Sequence, residues 1–317
     1  MQAVIRSLHS VPAITARLRA IPGLELTIAD DDAALIAALP TAEILLTSDN
    51  LYTAEVARLV RERAPKLLWI QLLSAGYDAV ARHGMPASIA LTNAGDAYAP
   101  AVATHAIALL LALQRQLPAL LDAQKRGHWQ RGLHARNTVP HGSTIAVIGF
   151  GAIGGEIGRL LKRFGARIIA VTRGGRQFPD ADESLPATAL RAVLPHADTV
   201  ILALAASEES RHLIGASELA VMRKTAFLVN IARGYVVDCI ALAEALRRGL
   251  IAGAGLDVTE PEPLPPDHPL WTAPNLIITP HMAGAAGDVV GARLAVIVGD
   301  NVERQLRGEP LAYRIAF

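Results

Sequence analysis

Short, uninterrupted apolar runs recur along this chain, each followed by a longer stretch of helical periodicity, and this alternation restricts the fold more than any other feature. A strand that is apolar on both faces must be buried on both, and joining it to a parallel neighbour takes a crossover that is usually helical. In the first hundred residues such runs lie at 3–7, 24–29, 43–47, 67–72 and 89–92. They resume at 144–148, 167–171, 199–204, 226–230, 253–256 and 276–279. Between them, 54–63 puts Val56, Leu59 and Val60 on one helical face, and 154–163, 239–248 and 289–306 read likewise. A long helical segment, 100–127, separates the two series, and Pro118 is where it is expected to kink or break. The looser stretch 129–143, with Gly132, Pro140 and Gly142, reads as a connection. No fixed-period repeat is present, which argues against a solenoid. The pattern predicts an α/β chain of two successive doubly wound parallel-sheet units.

Composition narrows the function. Hydrophobic residues make 52% of the 317 and charged residues 19%, enough to fill buried cores and too apolar for a disordered chain. Thirty Lys and Arg against 29 Asp and Glu leave a formal charge of +1, with the arginines dispersed. Electrostatics therefore give no reason to expect a nucleic acid or a membrane as partner. No apolar run reaches the roughly 18 residues of a membrane span. The N-terminal residues, broken by Arg6, His9 and Pro12, lack a secretory core. Cys239 is the single cysteine, so no intrachain disulfide forms and a cytoplasmic location is expected. No His/Cys cluster has zinc spacing, so no metal site is expected, and Cys239 has no motif that would make it a nucleophile.

Gly149-Phe150-Gly151-Ala152-Ile153-Gly154 follows the apolar run 144–148 and opens a helical pattern. In a strand–loop–helix context this spacing predicts a dinucleotide site. Gly149 permits the tight turn, Gly151 lets a pyrophosphate approach the backbone, and Gly154 lets the helix sit close to the strand. The backbone at Gly151, Ala152, Ile153 and Gly154 then presents free N–H groups to the phosphates. Where an NAD site usually carries Asp or Glu after the second strand, this chain has Thr172 and Arg173, with Arg176 nearby. A carboxylate repels a 2′-phosphate and a guanidinium binds it, so NADPH is expected to be preferred, with NADH possible.

Three further stretches each follow a buried-type strand. They are Asn230-Ile231-Ala232-Arg233-Gly234, Leu256-Asp257-Val258-Thr259-Glu260-Pro261-Glu262-Pro263 and Thr279-Pro280-His281-Met282-Ala283-Gly284. An Arg, a carboxylate and a His emerging at the carboxyl ends of parallel strands suit reduction of a 2-keto acid. Arg233 would anchor the acid's carboxylate and polarise its carbonyl. His281 would give the carbonyl oxygen its proton, and Glu262 would fix the imidazole's tautomer and favour its charged form.

These motifs, with Ser74-Ala75-Gly76-Tyr77-Asp78, Thr92-Asn93 and the helical pattern 101–113, closely resemble the D-isomer-specific 2-hydroxyacid dehydrogenase family in family order along nearly the whole chain. The resemblance implies two Rossmann-like domains with the active site in the cleft between them. One is a substrate domain, 1–98 completed by 286–317; the other is a dinucleotide domain, 99–285. It implies that Arg233, Glu262 and His281 are the catalytic residues and that Asp257 contacts the nicotinamide carboxamide. Ser74, Ala75 and Gly76, with Arg233 and His281, are implied to hold the substrate, and Ala205, Ile231 and Gly284 to line the cofactor. It further implies a homodimer acting on a small 2-keto or 2-hydroxy acid. Thr172-Arg173 and the run Asp257–Pro265 look like those of NADPH-preferring glyoxylate and hydroxypyruvate reductases. The alternatives are an NAD-preferring dehydrogenase of another 2-hydroxy acid and a cofactor-sensing, corepressor-like protein without turnover.

The chain departs from the family at Thr104-His105, where an acidic residue often precedes the His, at Ala205-Ala206, and at Cys239, where an acidic helix start is frequent. His9, His83, His128, His134, His141, His196, His212 and His268 are expected to be surface or satisfied residues, and Trp69, Trp129 and Trp271 to be packing residues, Trp271 also being a candidate to line the cleft.

Overall fold

The structure is a computed structural model that describes residues 1–7 and 11–316, so His9 lies outside the described residues. The chain divides into two compact units, Met1–Tyr98 with Ala285–Phe317, and Ala99–Gly284.

The first unit holds a five-stranded, all-parallel sheet: β1 (Gln2–Arg6), β2 (Glu25–Ile28), β3 (Ile44–Thr47), β4 (Trp69–Leu72) and β5 (Ala90–Thr92), in the order β2-β1-β3-β4-β5. β3 and β4 are buried at every residue, as continuous apolar runs under helices on both faces should be, whereas edge strand β2 alternates exposed and half-buried. Helices Val11–Arg19, Asp32–Ala38, Ala54–Arg63 and Asp78–His83 fill the connections. Two of them start on side-chain caps, Asp31 accepting from the Ala34 N–H at 2.7 Å and Thr53 from that of Val56 at 3.3 Å. The final helix, Gly287–Leu306, packs against Val11–Arg19, with Arg17 Nη2 2.6 Å from Glu303 Oε1.

A buried polar network ties this unit to the end of the chain. Trp69 Nε1 donates to Thr92 Oγ1 (2.7 Å), and Thr92 Oγ1 donates to Gln71 Oε1 (2.8 Å). Asn301 Nδ2 donates to Gln71 Oε1 (3.1 Å) and to Ala312 O (3.1 Å), while its Oδ1 accepts from the Ala312 N–H (2.8 Å). Buried polar groups are tolerated when paired in this way.

The second unit holds seven parallel strands: β6 (Thr144–Ile148), β7 (Arg167–Thr172), β8 (Glu183–Pro186), β9 (Thr199–Leu202), β10 (Phe227–Asn230), β11 (Gly253–Leu256) and β12 (Leu276–Ile278), ordered β12-β11-β10-β9-β6-β7-β8. From β6 the chain winds outward through β7 to β8, then returns to β9 on the other side. The reversal between β6 and β9 is where open α/β sheets bind ligands, beyond the strands' carboxyl ends. Helix Ala99–Gln114 lies close on β11 because that strand carries Gly253 and Gly255. A Cβ on Gly255 would sit 3.0 Å from Leu109 Cβ.

The structure departs from the sequence pattern at three places. The segment 100–127 is two helices, Ala99–Gln114 and Leu117–Lys125, bent by 64°. The turn falls at Gln116 (φ 56°), and Pro118 stands in the first turn of the second helix, where a missing N–H costs nothing. Trp69 is fully buried, but Trp129, in an irregular loop, is 87% exposed, and Trp271, in the short 3-10 turn Pro269–Thr272, is 53% exposed with its Nε1 donating to Pro265 O at 2.8 Å. β8 adds an edge strand that its sequence, Glu-Ser-Leu-Pro, does not announce. Among the described residues no single helix is long and apolar enough to cross a membrane.

Replacing Asn301 with Ala removes one of the two donors to Gln71 Oε1 and leaves two Ala312 backbone groups without their partner. A loss of about 2–3 kcal/mol in urea unfolding, followed by the fluorescence of Trp69, is expected. An unchanged midpoint would show that the network contributes nothing.

Candidate active site

The chemistry-bearing side chains of the second unit leave the sheet at neighbouring strand ends. Asn230, the last residue of β10, is buried; its Oδ1 accepts the Ala232 N–H (3.0 Å) and its Nδ2 donates to Arg233 O (2.9 Å), shaping the turn that carries Arg233. Arg233 Nη1 donates to Ala232 O at 2.6 Å. Gly234 is required there, since a Cβ would lie 1.8 Å from Thr259 O. The segments after β10 and β11 therefore touch, and the Asp257 N–H donates to Asn230 O at 2.9 Å.

Asp257 follows β11 and is 2% exposed. Its Oδ1 accepts from Thr279 Oγ1 (2.6 Å) and the Met282 N–H (3.0 Å), its Oδ2 from the Ala283 N–H (2.9 Å), and its backbone carbonyl from the His281 N–H (2.8 Å). One residue thus pins the whole turn after β12. His281 occupies that turn at φ 51°, a left-handed conformation uncommon outside glycine but one His adopts more readily than most residues. Its Nδ1 stands 2.7 Å from Glu262 Oε1, with both side chains about half exposed. The structure therefore pairs His281 with Glu262 and sets Arg233 on the adjoining strand end.

The glycine loop lies after β6. Gly149 has φ 89° and abuts the segment after β9, where a Cβ would meet Leu204 Cα at 2.5 Å. At Gly154 a Cβ would meet Gly149 O at 2.0 Å, whereas at Gly151 it would meet nothing within 4 Å. Two of the glycines are thus demanded by the protein's own packing, and the third opens onto free space. Helix Ala152–Arg163 begins there with its first N–H groups turned outward, so the loop fits a pyrophosphate. At the end of β7 the Thr172 hydroxyl accepts the Gly175 N–H (3.2 Å). Arg173 and Arg176 are exposed. Ile231 is buried just after β10, Ala205 is exposed in the loop after β9, and Gly284 closes the unit, half-buried.

In the first unit, the loop after β4 is held by Ser74, whose hydroxyl donates to Gly76 O (3.0 Å) and accepts the Asp49 N–H (3.1 Å), and by Asn93, whose Nδ2 donates to Ala75 O (2.8 Å). Among the described residues nothing accepts from the N–H groups of Ala75 and Gly76.

Sequence reading alone missed several participants. His105 of helix Ala99–Gln114 places Nε2 2.9 Å from Thr279 Oγ1 and 3.4 Å from Asp257 Oδ1. Thr104 beside it only bonds Pro100 O within the helix (2.7 Å), so the departure from an acidic residue falls on an outward position. Arg176 stacks over Phe178 (4.6 Å), whose ring lies 4.9 Å from Phe150 of the glycine loop. Arg211 grips both oxygens of Glu260 (2.9 and 3.0 Å), steadying the segment that leads to Glu262. None of these contacts has a signal in local spacing. Cys239 is buried, burial pushes its thiol up, and the helix start is capped by Asp238 instead, which accepts from the N–H groups of Ile240 and Ala241. Among the described residues no three His, Cys, Asp or Glu side chains are grouped to hold a metal.

Comparison with known proteins matches this geometry to a family. The model of the D-isomer specific 2-hydroxyacid dehydrogenase NAD binding domain matches residues 107–283. The glyoxylate reductase of Korarchaeum cryptofilum (strain OPF8) is 35% identical over 264 residues, 82% of this chain and 79% of that protein. A D-isomer specific 2-hydroxyacid dehydrogenase family protein from Aeromonas salmonicida subsp. salmonicida A449 superposes with a TM-score of 0.86 at 31% identity, covering 99% of this chain and 98% of the other. A D-isomer specific 2-hydroxyacid dehydrogenase from Xanthobacter autotrophicus Py2, solved with NADPH and MES, gives 0.85 at 28% identity and the same coverage. With its parallel sheets, glycine loop and paired His and Glu, the chain belongs to the D-isomer-specific 2-hydroxyacid dehydrogenase family.

Proposed function

We propose that the chain reduces a small 2-keto acid, of the glyoxylate or hydroxypyruvate kind, to the D-2-hydroxy acid, with NADPH preferred over NADH. The observation that carries this reading is the 2.7 Å pair between His281 Nδ1 and Glu262 Oε1 in a turn fixed by Asp257. A carboxylate on Nδ1 sets the tautomer and leaves Nε2 to hand a proton to the substrate's carbonyl oxygen. Arg233 supplies a permanent charge and a planar fork for the acid's carboxylate, and polarises the carbonyl that is reduced. The N–H groups of Ala75 and Gly76, in the loop led by Ser74, are proposed as further donors to that carboxylate.

A bound reduced nicotinamide supplies the hydride. The chain would hold the dinucleotide by Gly149, Gly151, Ala152, Ile153 and Gly154 at the phosphates, by Thr172, Arg173 and Arg176 at the adenosine 2′-phosphate, and by Ala205, Ile231, Asp257 and Gly284 along the rest. The absence of an acidic residue at the end of β7, where Thr172 and Arg173 stand, supports the NADPH preference. So does the relative from Xanthobacter autotrophicus Py2, which binds NADPH. The glyoxylate reductase from Korarchaeum cryptofilum supports the substrate class. A cytoplasmic homodimer completes the proposal, supported by four large apolar side chains left exposed within 117–139, namely Leu117, Leu121, Trp129 and Val139.

His281→Gln should lower kcat about 10²- to 10⁴-fold while NADPH still binds; unchanged turnover would remove the mechanism. Arg233→Ala should lower kcat and also raise KM for the acid, and an unaltered KM would deny it the anchoring role. For cofactor choice, Arg173→Asp should move the ratio of kcat/KM values from NADPH toward NADH. A wild-type ratio that already favours NADH contradicts the reading outright. A Cβ at Gly151 meets no protein atom within 4 Å, so in Gly151→Val Tm should hold while nucleotide affinity, measured by titration calorimetry, disappears; retained affinity would place the phosphates elsewhere.

A further inference from the structure

Helix Ala99–Gln114 presents His105, Leu109 and Leu113 at four-residue spacing, hence on one face. Leu109 and Leu113 press onto β11 where Gly253 and Gly255 leave room: Cβ atoms there would come within 3.3 and 3.0 Å of the leucine side chains. That close approach carries His105, one turn further toward the N-terminus, to the turn after β12. Its Nε2 is 2.9 Å from Thr279 Oγ1.

The hydrogens in this cluster can be assigned by counting. Thr279 has one hydroxyl hydrogen, and the 2.6 Å contact to Asp257 Oδ1 takes it, because an ionised carboxylate only accepts. The hydroxyl oxygen then has only lone pairs to offer His105, so Nε2 carries a hydrogen and donates it. The direction of donation is His105 to Thr279 to Asp257, and Asp257 in turn receives the N–H groups of His281, Met282 and Ala283. Each donor polarises the next in such a chain.

We infer that His105 is a positioning residue for His281: it holds the Thr279 hydroxyl on Asp257, and so fixes the turn in which His281 keeps its left-handed backbone. It does not touch the reacting atoms. The inference rests on the reading of His281 as proton donor, and a donor displaced by a fraction of an ångström costs turnover rather than binding.

The test compares His105→Leu, which removes the donor, with His105→Gln, whose amide N–H can replace Nε2–H. Kinetics with NADPH and glyoxylate, thermal melts and hydrogen exchange of 279–283 are measured on the full chain. For His105→Leu a fall in kcat of about tenfold is expected, with KM for the acid and Kd for NADPH within about twofold of wild type. Faster exchange at the amides of His281, Met282 and Ala283 should accompany it. His105→Gln should regain most of the lost kcat and the slow exchange. Thr279→Val, which leaves the helix untouched, should reproduce the exchange signature of the Leu variant. Wild-type kcat in His105→Leu overturns the inference. So do equal losses in the Leu and Gln variants, which would mean that bulk rather than the donated hydrogen matters. A His281→Gln variant that turns over normally removes the underlying reading instead. Normal His105→Leu beside inactive His281→Gln removes this inference alone.

Discussion

The Asp257 carboxylate is withdrawn from water, and a buried charge survives only if donors replace its hydration. Here a hydroxyl and two backbone N–H groups do so, and all three come from the turn that holds His281. Solvating the carboxylate and shaping the turn are therefore one event: the charge cannot be satisfied unless the chain after β12 folds back over it. His281 gains a defined backbone conformation from a residue that it contacts only through the main chain, its N–H donating to the Asp257 carbonyl. Glu262 then needs to fix only the ring.

The same economy runs through the glycines. Gly149 and Gly154 are required by neighbouring backbone and Gly234 by Thr259, so each marks a place where two segments come closer than any side chain permits, while Gly255 keeps the approach of Leu109 tight. Of the three glycines in the loop after β6, only Gly151 faces open space. That contrast separates glycines that build the second unit from the one available to a ligand, and it could not be drawn from the spacing of the motif.

Much of the fold was legible because strands buried on both faces leave continuous apolar runs. The runs at 144–148 and 253–256 and the helix at 54–63 coincide with the structure to the residue. The signal failed where burial is one-sided or absent. β8 is a polar edge strand, and the bend falls at Gln116, two residues before Pro118, which looks like a breaker but serves as a helix start. Trp129 has the composition of a core residue and no core beneath it. At the site, the pairing of His281 with Glu262 followed from motif order, but the contact of His105 with Thr279 joins residues 174 apart and depends on how closely a helix lies on β11. No local pattern encodes that distance.

As proposed, this arrangement turns over a keto acid rather than merely sensing a nucleotide. Its most direct test is the loss of reduced-nicotinamide absorbance when the purified protein and NADPH are mixed with glyoxylate, hydroxypyruvate and pyruvate in turn, with chiral analysis of the product. Saturable oxidation with at least one of these acids, yielding the D-hydroxy acid where the product is chiral, is the expected result. Tight NADPH binding with no oxidation by any of them would make the protein a nucleotide sensor and not a reductase.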